Sequence, residues 1–337
     1  MAVLTVILVY AFAAFVLAVS LTALFGPWLA FFFKALEICG KKPFMGLLCR
    51  QAGRMNLWFG SLFAVLVLSS LFQGFFRLKG ALPPPELMDG AAKAGVIMPP
   101  DAASMALMAG AFVLYIFLLA AAHFSWKALR ARPALQAALL FLGAACGCAA
   151  LALAFNIAAG RPQILNTYYY ISIFTWTGAM YPFGTPTEAS SALMLLKFLS
   201  GGLGVATAMC MCCSLIFRKR DDFGRDYYNF AIRQLSRWAL GSTVITLASG
   251  LGMALILRSL IAAHFDLGLT DAALGALIYA SCCIFWWAIM RSLTPLRHKA
   301  GIWMSMIALL VAMLGHLIFV RNFFVATGMI TGALPFN

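Results

Sequence analysis

The chain predicts an all-α fold: a polytopic bundle of about eight transmembrane helices with both termini outside. Three observations lead there. Hydrophobic residues make up 64% of the 337 residues and charged residues 10%, a ratio that a water-soluble core of this size could not use. Crossing ~30 Å of hydrocarbon takes about 20 apolar residues per helix, and uncharged stretches of that length recur along the chain. Most of the positive charge is confined to four short segments between them.

The gaps between charges place the spans at 4–33, 55–76, 105–126, 133–159, 190–217, 238–260, 272–290 and 302–320, together one membrane domain over 1–337. Backbone groups in hydrocarbon must be satisfied within their own segment, so stretches of this length mean helices; barrel strands would be about half as long and alternating. The first stretch exceeds what a vertical helix requires and contains Pro27. It predicts a tilt, a kink, or an end running on beyond the hydrocarbon. With no basic n-region, and a far longer apolar run than a signal peptide has, it reads as a first membrane helix that starts outside. The second, third and fourth spans are bounded by Arg54, Arg77, Lys127 and Arg132. The fifth contains Lys197 and the run Ser200-Gly201-Gly202-Leu203-Gly204, small residues that let helices approach closely. The sixth carries Arg258 late, the seventh ends before Arg291, and the eighth ends before Arg321. The uncharged tail 322–337 is too short to span and is expected along the outer interface or against a neighbour.

Lys and Arg fix the orientation. Lys34, Lys41, Lys42, Arg50 and Arg54 follow span one, and Lys127, Arg130 and Arg132 follow span three. Arg218, Lys219, Arg220, Arg225, Arg233 and Arg237 follow span five, and Arg291, Arg297 and Lys299 follow span seven. These four loops hold seventeen of the 24 basic residues and belong in the cytoplasm. The expected location is the bacterial inner membrane. The net charge of +14 is that of a basic face beside anionic lipid, and no nucleic-acid motif accompanies it.

Two segments belong outside. The proline-rich stretch 77–101 reads as an ordered, non-helical cap. The stretch 161–188 is crowded with Tyr168, Tyr169, Tyr170, Phe174, Trp176, Tyr181 and Phe183. It reads as an interfacial segment, a docking surface for a partner subunit, or a lid over a quinone pocket.

Candidate chemistry is sparse. A b-type haem needs axial His ligands projecting from helices. Of four histidines, His123 falls near the inner end of span three and His316 near the outer end of span eight, too far apart to share one haem. Each is a weak haem candidate. The nine cysteines include the clusters Cys146/Cys148 and Cys210/Cys212/Cys213, at no ligand spacing, and on apolar helices they read as small hydrophobes. Intramembrane polar positions are Lys197, Arg258, Glu188 and Asn156, functional candidates by default because charge in hydrocarbon is costly. Glu188 and Lys197, nine residues apart, point to opposite helix faces and are not partners. Asn56, Gln73 and Asn156 read as helix–helix or capping positions near span ends.

The order of features resembles subunit I of the cytochrome bd quinol oxidases. The carriers are the stretch KALEICGKKPFMGLLCRQAGRMNLWFG after the first span, Asn156 followed by Arg161-Pro162, Thr185-Pro186 before span five, and LIFRKRDD after it. The likeness covers about residues 1–235. The family's haem-ligating His positions in its first and fifth helices have no counterpart here, nor does the long quinol loop after the fifth helix. The resemblance therefore implies a haem-free relative that keeps the helical scaffold, and no site residue carries over. The expected function is a membrane subunit of a respiratory electron-transfer complex, not catalytic by itself, anchoring membrane or peripheral redox partners and contributing to a quinone site. No bound cofactor is expected, with quinone or haem b left open. The alternatives are a small-solute permease using Lys197 and Arg258, and a b-type cytochrome using His123 or His316.

Overall fold

A computed structural model describes the backbone of residues 2–40, 44–80, 102–159, 188–218, 220–221, 223–256 and 268–326. Among the described residues there are eight long helices and no strand: α1 (Ala2–Gly40), α2 (Met45–Gly80), α3 (Ala102–Phe124), α4 (Pro133–Ala159), α5 (Glu188–Phe217), α6 (Arg225–Ile256), α7 (Gly268–Arg291) and α8 (Lys299–Ala326). Short 3-10 turns at Ala128–Ala131 and Pro295–Arg297 precede α4 and α8. Among the described residues, five segments are long and apolar enough to cross a membrane: Ala11–Gly40, Met45–Ser69, Ala103–Phe124, Pro133–Ala154 and Leu195–Phe217. Segments Ala276–Arg291 and Lys299–Leu314 are apolar but shorter among the described residues.

Each expected span has a helix at its core among the described residues, and 133–159 coincides with α4. The third helix stops at Phe124, two residues short of the expected 126, and residues 257–260 of the sixth expected span lie outside the described residues; elsewhere the helices are the longer. Residues 33–58 were expected to contain a loop joining two spans; instead α1 runs on through Lys34 and Glu37 to Gly40, and α2 begins at Met45, so that Arg50 and Arg54 ride on it. Likewise α6 starts at Arg225 and carries Arg233 and Arg237. The tail begins later than Arg321, because α8 reaches Ala326. Long basic side chains can leave the hydrocarbon without ending the backbone ladder, so a charge marks the membrane edge and not the helix end. Asn56 lies inside α2 and is fully buried, and neither of its amide atoms has a hydrogen-bond partner among the described residues, so the expected helix–helix or capping bond is not seen. Most of the two outer segments, together with Arg258, lies outside the described residues.

The chain groups into two compact units, Met1–Thr22 with Ser172–Asn337, and Ala23–Ile171. In the first, α5 packs on α6, α6 on α7, α7 on α8, and α8 on α5. The α5–α6 seam is built from small residues. Gly201, Gly202 and Gly204 are buried, and a Cβ on Gly204 would stand 3.2 Å from Ser242 Oγ. Ser200 and Thr246 hydroxyls meet at 2.8 Å across the seam, and each also bonds the carbonyl four residues back in its own helix. No water is needed to satisfy them, as an apolar surround demands.

The second unit is organised around Tyr115. Pro27 has no N–H, so the Ala23 carbonyl four residues earlier in α1 loses its helical partner. Tyr115, from α3, donates its hydroxyl to that carbonyl at 2.7 Å. Its ring passes between two helices that leave room for it: a Cβ on Gly60 of α2 would lie 2.8 Å from the Tyr115 hydroxyl, and one on Gly147 of α4 would lie 2.9 Å from the ring. One residue of α3 therefore touches α1, α2 and α4.

The outward faces are apolar too. Val113 and Phe117 on α3, Trp58 and Val65 on α2, and Leu277 and Ile284 on α7 are well exposed. Helices apolar on every side suit hydrocarbon and not water.

Candidate functional site

Among the described side chains, the charged ones of each unit, Lys197 excepted, gather at one end. In the first unit this follows from α5–α6 and α7–α8 being antiparallel pairs, which puts both turns together. Arg233 donates through Nη2 to the carbonyls of Ser292 (2.9 Å) and Leu293 (3.2 Å), just beyond the C-terminus of α7. Asn229 Oδ1 accepts the Leu296 N–H at 3.1 Å. Cations suit the orphan carbonyls at a helix C-terminus, so this is a structural clamp. Gly224, at φ +83°, turns the chain into α6 in a conformation that favours glycine. Tyr228 donates to the Asp221 carbonyl and lies 5.9 Å from the Arg218 guanidinium.

In the second unit the end of α1, the start of α2, the turn between α3 and α4 and the start of α4 surround an open groove of about 840 Å3. Lys34, only 3% exposed, anchors it. Its ammonium bonds Glu37 Oε2 at 2.8 Å, one turn along α1, and stands 5.1 Å from the Trp126 ring centre, a cation–π contact. Glu37 lies against the first turn of α2, where a side chain on Gly46 would collide with its carboxylate; a carboxylate is favourable at a helix N-terminus. Arg50, Lys127 and Arg130 add three cations to the lining, none with a carboxylate partner among the described residues. Gln136, in the first turn of α4, also lines the groove. It is 1% exposed, and neither its amide nitrogen nor its amide oxygen has a hydrogen-bond partner among the described residues.

The residues singled out from the sequence are not gathered here. His123 occupies the last turn of α3, half-buried, its ring edge-on to Phe124 at 5.2 Å and its Nδ1 without a hydrogen-bond partner among the described residues. Lys197 belongs to the other unit and faces α6, its Cε 3.8 Å from the place a Cβ on Gly250 would take. No carboxylate among the described residues pairs with it. Glu188, Asn156 and His316 lie on α5, α4 and α8, but their side chains, like the whole of Arg258, are outside the described residues. No group of three or more His, Cys, Asp or Glu side chains converges among the described residues. The buried thiols of Cys49 and Cys282 donate to the carbonyls of Ala30 and Ser305, at 3.2 Å and 3.6 Å.

Lys34 and Gln136 are what sequence reasoning missed. The uncharged-stretch criterion puts Lys34 among the loop charges, although Lys34 and Glu37 at i,i+3 spacing signal a helical pair. Gln136 gave no signal, since a glutamine in a first turn is ordinarily solvated.

No protein-family model matches the chain, and no curated protein or solved structure is significantly similar to it.

Proposed function

We propose that the chain is a haem-free scaffold subunit of a respiratory electron-transfer complex in a bacterial inner membrane. It would cross the bilayer eight times with both termini outside and hold redox partners without catalysing a reaction itself. The observation that carries the membrane part is the gathering of basic turns at one end of each unit, with long helices apolar on all faces leading away from them. The positive-inside bias then puts those ends in the cytoplasm. The electron-transfer part rests on the likeness in feature order to cytochrome bd subunit I, without that family's haem-ligating histidines. A scaffold role agrees with helix seams built from small residues and self-satisfied hydroxyls, such as Ser200–Thr246. Solute transport draws less support, because the glycine face of α5 that would line a path is closed against α6.

Purification from native membranes in mild detergent tests this. The expected outcome is a complex in which this chain accompanies subunits carrying flavin, haem or iron–sulfur groups, while the chain isolated from them gives no Soret band. A solitary protein with no redox-active partner contradicts the reading.

A further inference from the structure

We propose that the groove of the second unit is a binding site for a phosphate-bearing anion, either the headgroup of an anionic phospholipid or a soluble phosphate ester. The proposal goes beyond the scaffold reading and does not depend on it. The cations come from three separate chain segments: Lys34 from α1, Arg50 from α2, and Lys127 and Arg130 from the turn before α4. Cations from separate segments repel one another, so their convergence is unfavourable unless an anion is shared among them. The one carboxylate of the lining, Glu37, is already engaged by Lys34. That leaves Arg50, Lys127 and Arg130 facing the groove with their charge uncompensated.

Gln136 supplies the independent observation. A buried amide with both atoms unpartnered is costly, and in a native fold it calls for an explanation such as a bound group. This amide lines the groove, in the first turn of α4, where the positive end of the helix dipole also favours an anion. Its NH2 can donate to a phosphate oxygen while the guanidinium groups of Arg50 and Arg130 supply charge-assisted bonds. Basic pockets between helices at the cytoplasmic membrane surface have the chemistry to hold lipid phosphates. The groove is open, so it also admits a soluble ester.

The test uses the full chain, delipidated in neutral detergent, with calorimetric titration of four probes: short-chain phosphatidylglycerol, short-chain phosphatidylcholine, glycerol 3-phosphate and inorganic phosphate. Saturable binding of phosphatidylglycerol alone supports a lipid headgroup. Saturable binding of glycerol 3-phosphate or inorganic phosphate as well supports a soluble phosphate ester. Arg130→Gln, and separately Lys127→Gln, both at exposed positions, should each weaken binding about fivefold, whereas Arg237→Gln in the other unit should leave it unchanged. Gln136→Leu should weaken binding while leaving the thermal stability of the ligand-free protein equal or higher, because it removes an unpartnered buried amide. The proposal is overturned if no anionic probe saturates, if phosphatidylcholine binds as tightly as phosphatidylglycerol, if Arg237→Gln weakens binding as much as Arg130→Gln, or if Gln136→Leu leaves affinity intact.

Discussion

At Pro27 the α1 helix lacks the N–H that would have bonded Ala23, and the Tyr115 hydroxyl supplies the missing donor. Tyr115→Phe should therefore lower stability by about 1–3 kcal/mol, the cost of stranding a buried carbonyl. Pro27→Ala restores the backbone donor, so in that background the Tyr115→Phe penalty should largely disappear. Thermal unfolding of the four proteins in detergent checks this; equal penalties in both backgrounds would separate the two residues. A second residue-scale asymmetry concerns Lys34, which is buried, and Glu37, which is partly exposed. Glu37→Gln leaves a buried cation without its counterion and should cost about 3 kcal/mol. Lys34→Met leaves a carboxylate that water and the α2 N-terminus still stabilise, so its loss in the same melting measurement should be smaller.

Among elements, the stretches most legible from sequence were those whose limits are set by charge and proline together, as at Pro133 for α4. The least legible were the starts of α2 and α6. Backbone hydrogen bonding continues past the membrane edge, and nothing in an uncharged-stretch criterion registers Arg50 or Arg233 as helical. The candidate groove was mostly hidden for a related reason. Its charges were visible as two separate basic loops, but their convergence, and the burial of Lys34 and Gln136, depend on how four helices pack. The small-residue run 200–204 was readable as a packing face because glycine permits close approach whatever the partner helix. The Arg233 clamp at the end of α7 makes an element-scale prediction. Arg233→Ala should release the α7–α8 turn and speed tryptic cleavage at Arg297, with the helix content by circular dichroism unchanged. An unaltered cleavage rate would mean that the clamp does not hold this turn.

For the whole molecule, the account joins two patterns: helices apolar on every face, and basic turns gathered at one end of each unit. Hydrocarbon accounts for the first, and under the proposed orientation an inner leaflet with anionic headgroups would account for the second. The scaffold proposal requires the basic ends to face the cytoplasm. That requirement is open to one direct measurement, labelling of single cysteines by a membrane-impermeant maleimide, in a background with the nine native cysteines replaced. Arg132→Cys and Arg220→Cys should stay unlabelled in intact cells and react once the membrane is permeabilised, while Asp89→Cys should react in intact cells. Labelling of either arginine position from outside would contradict the orientation and the reading built on it.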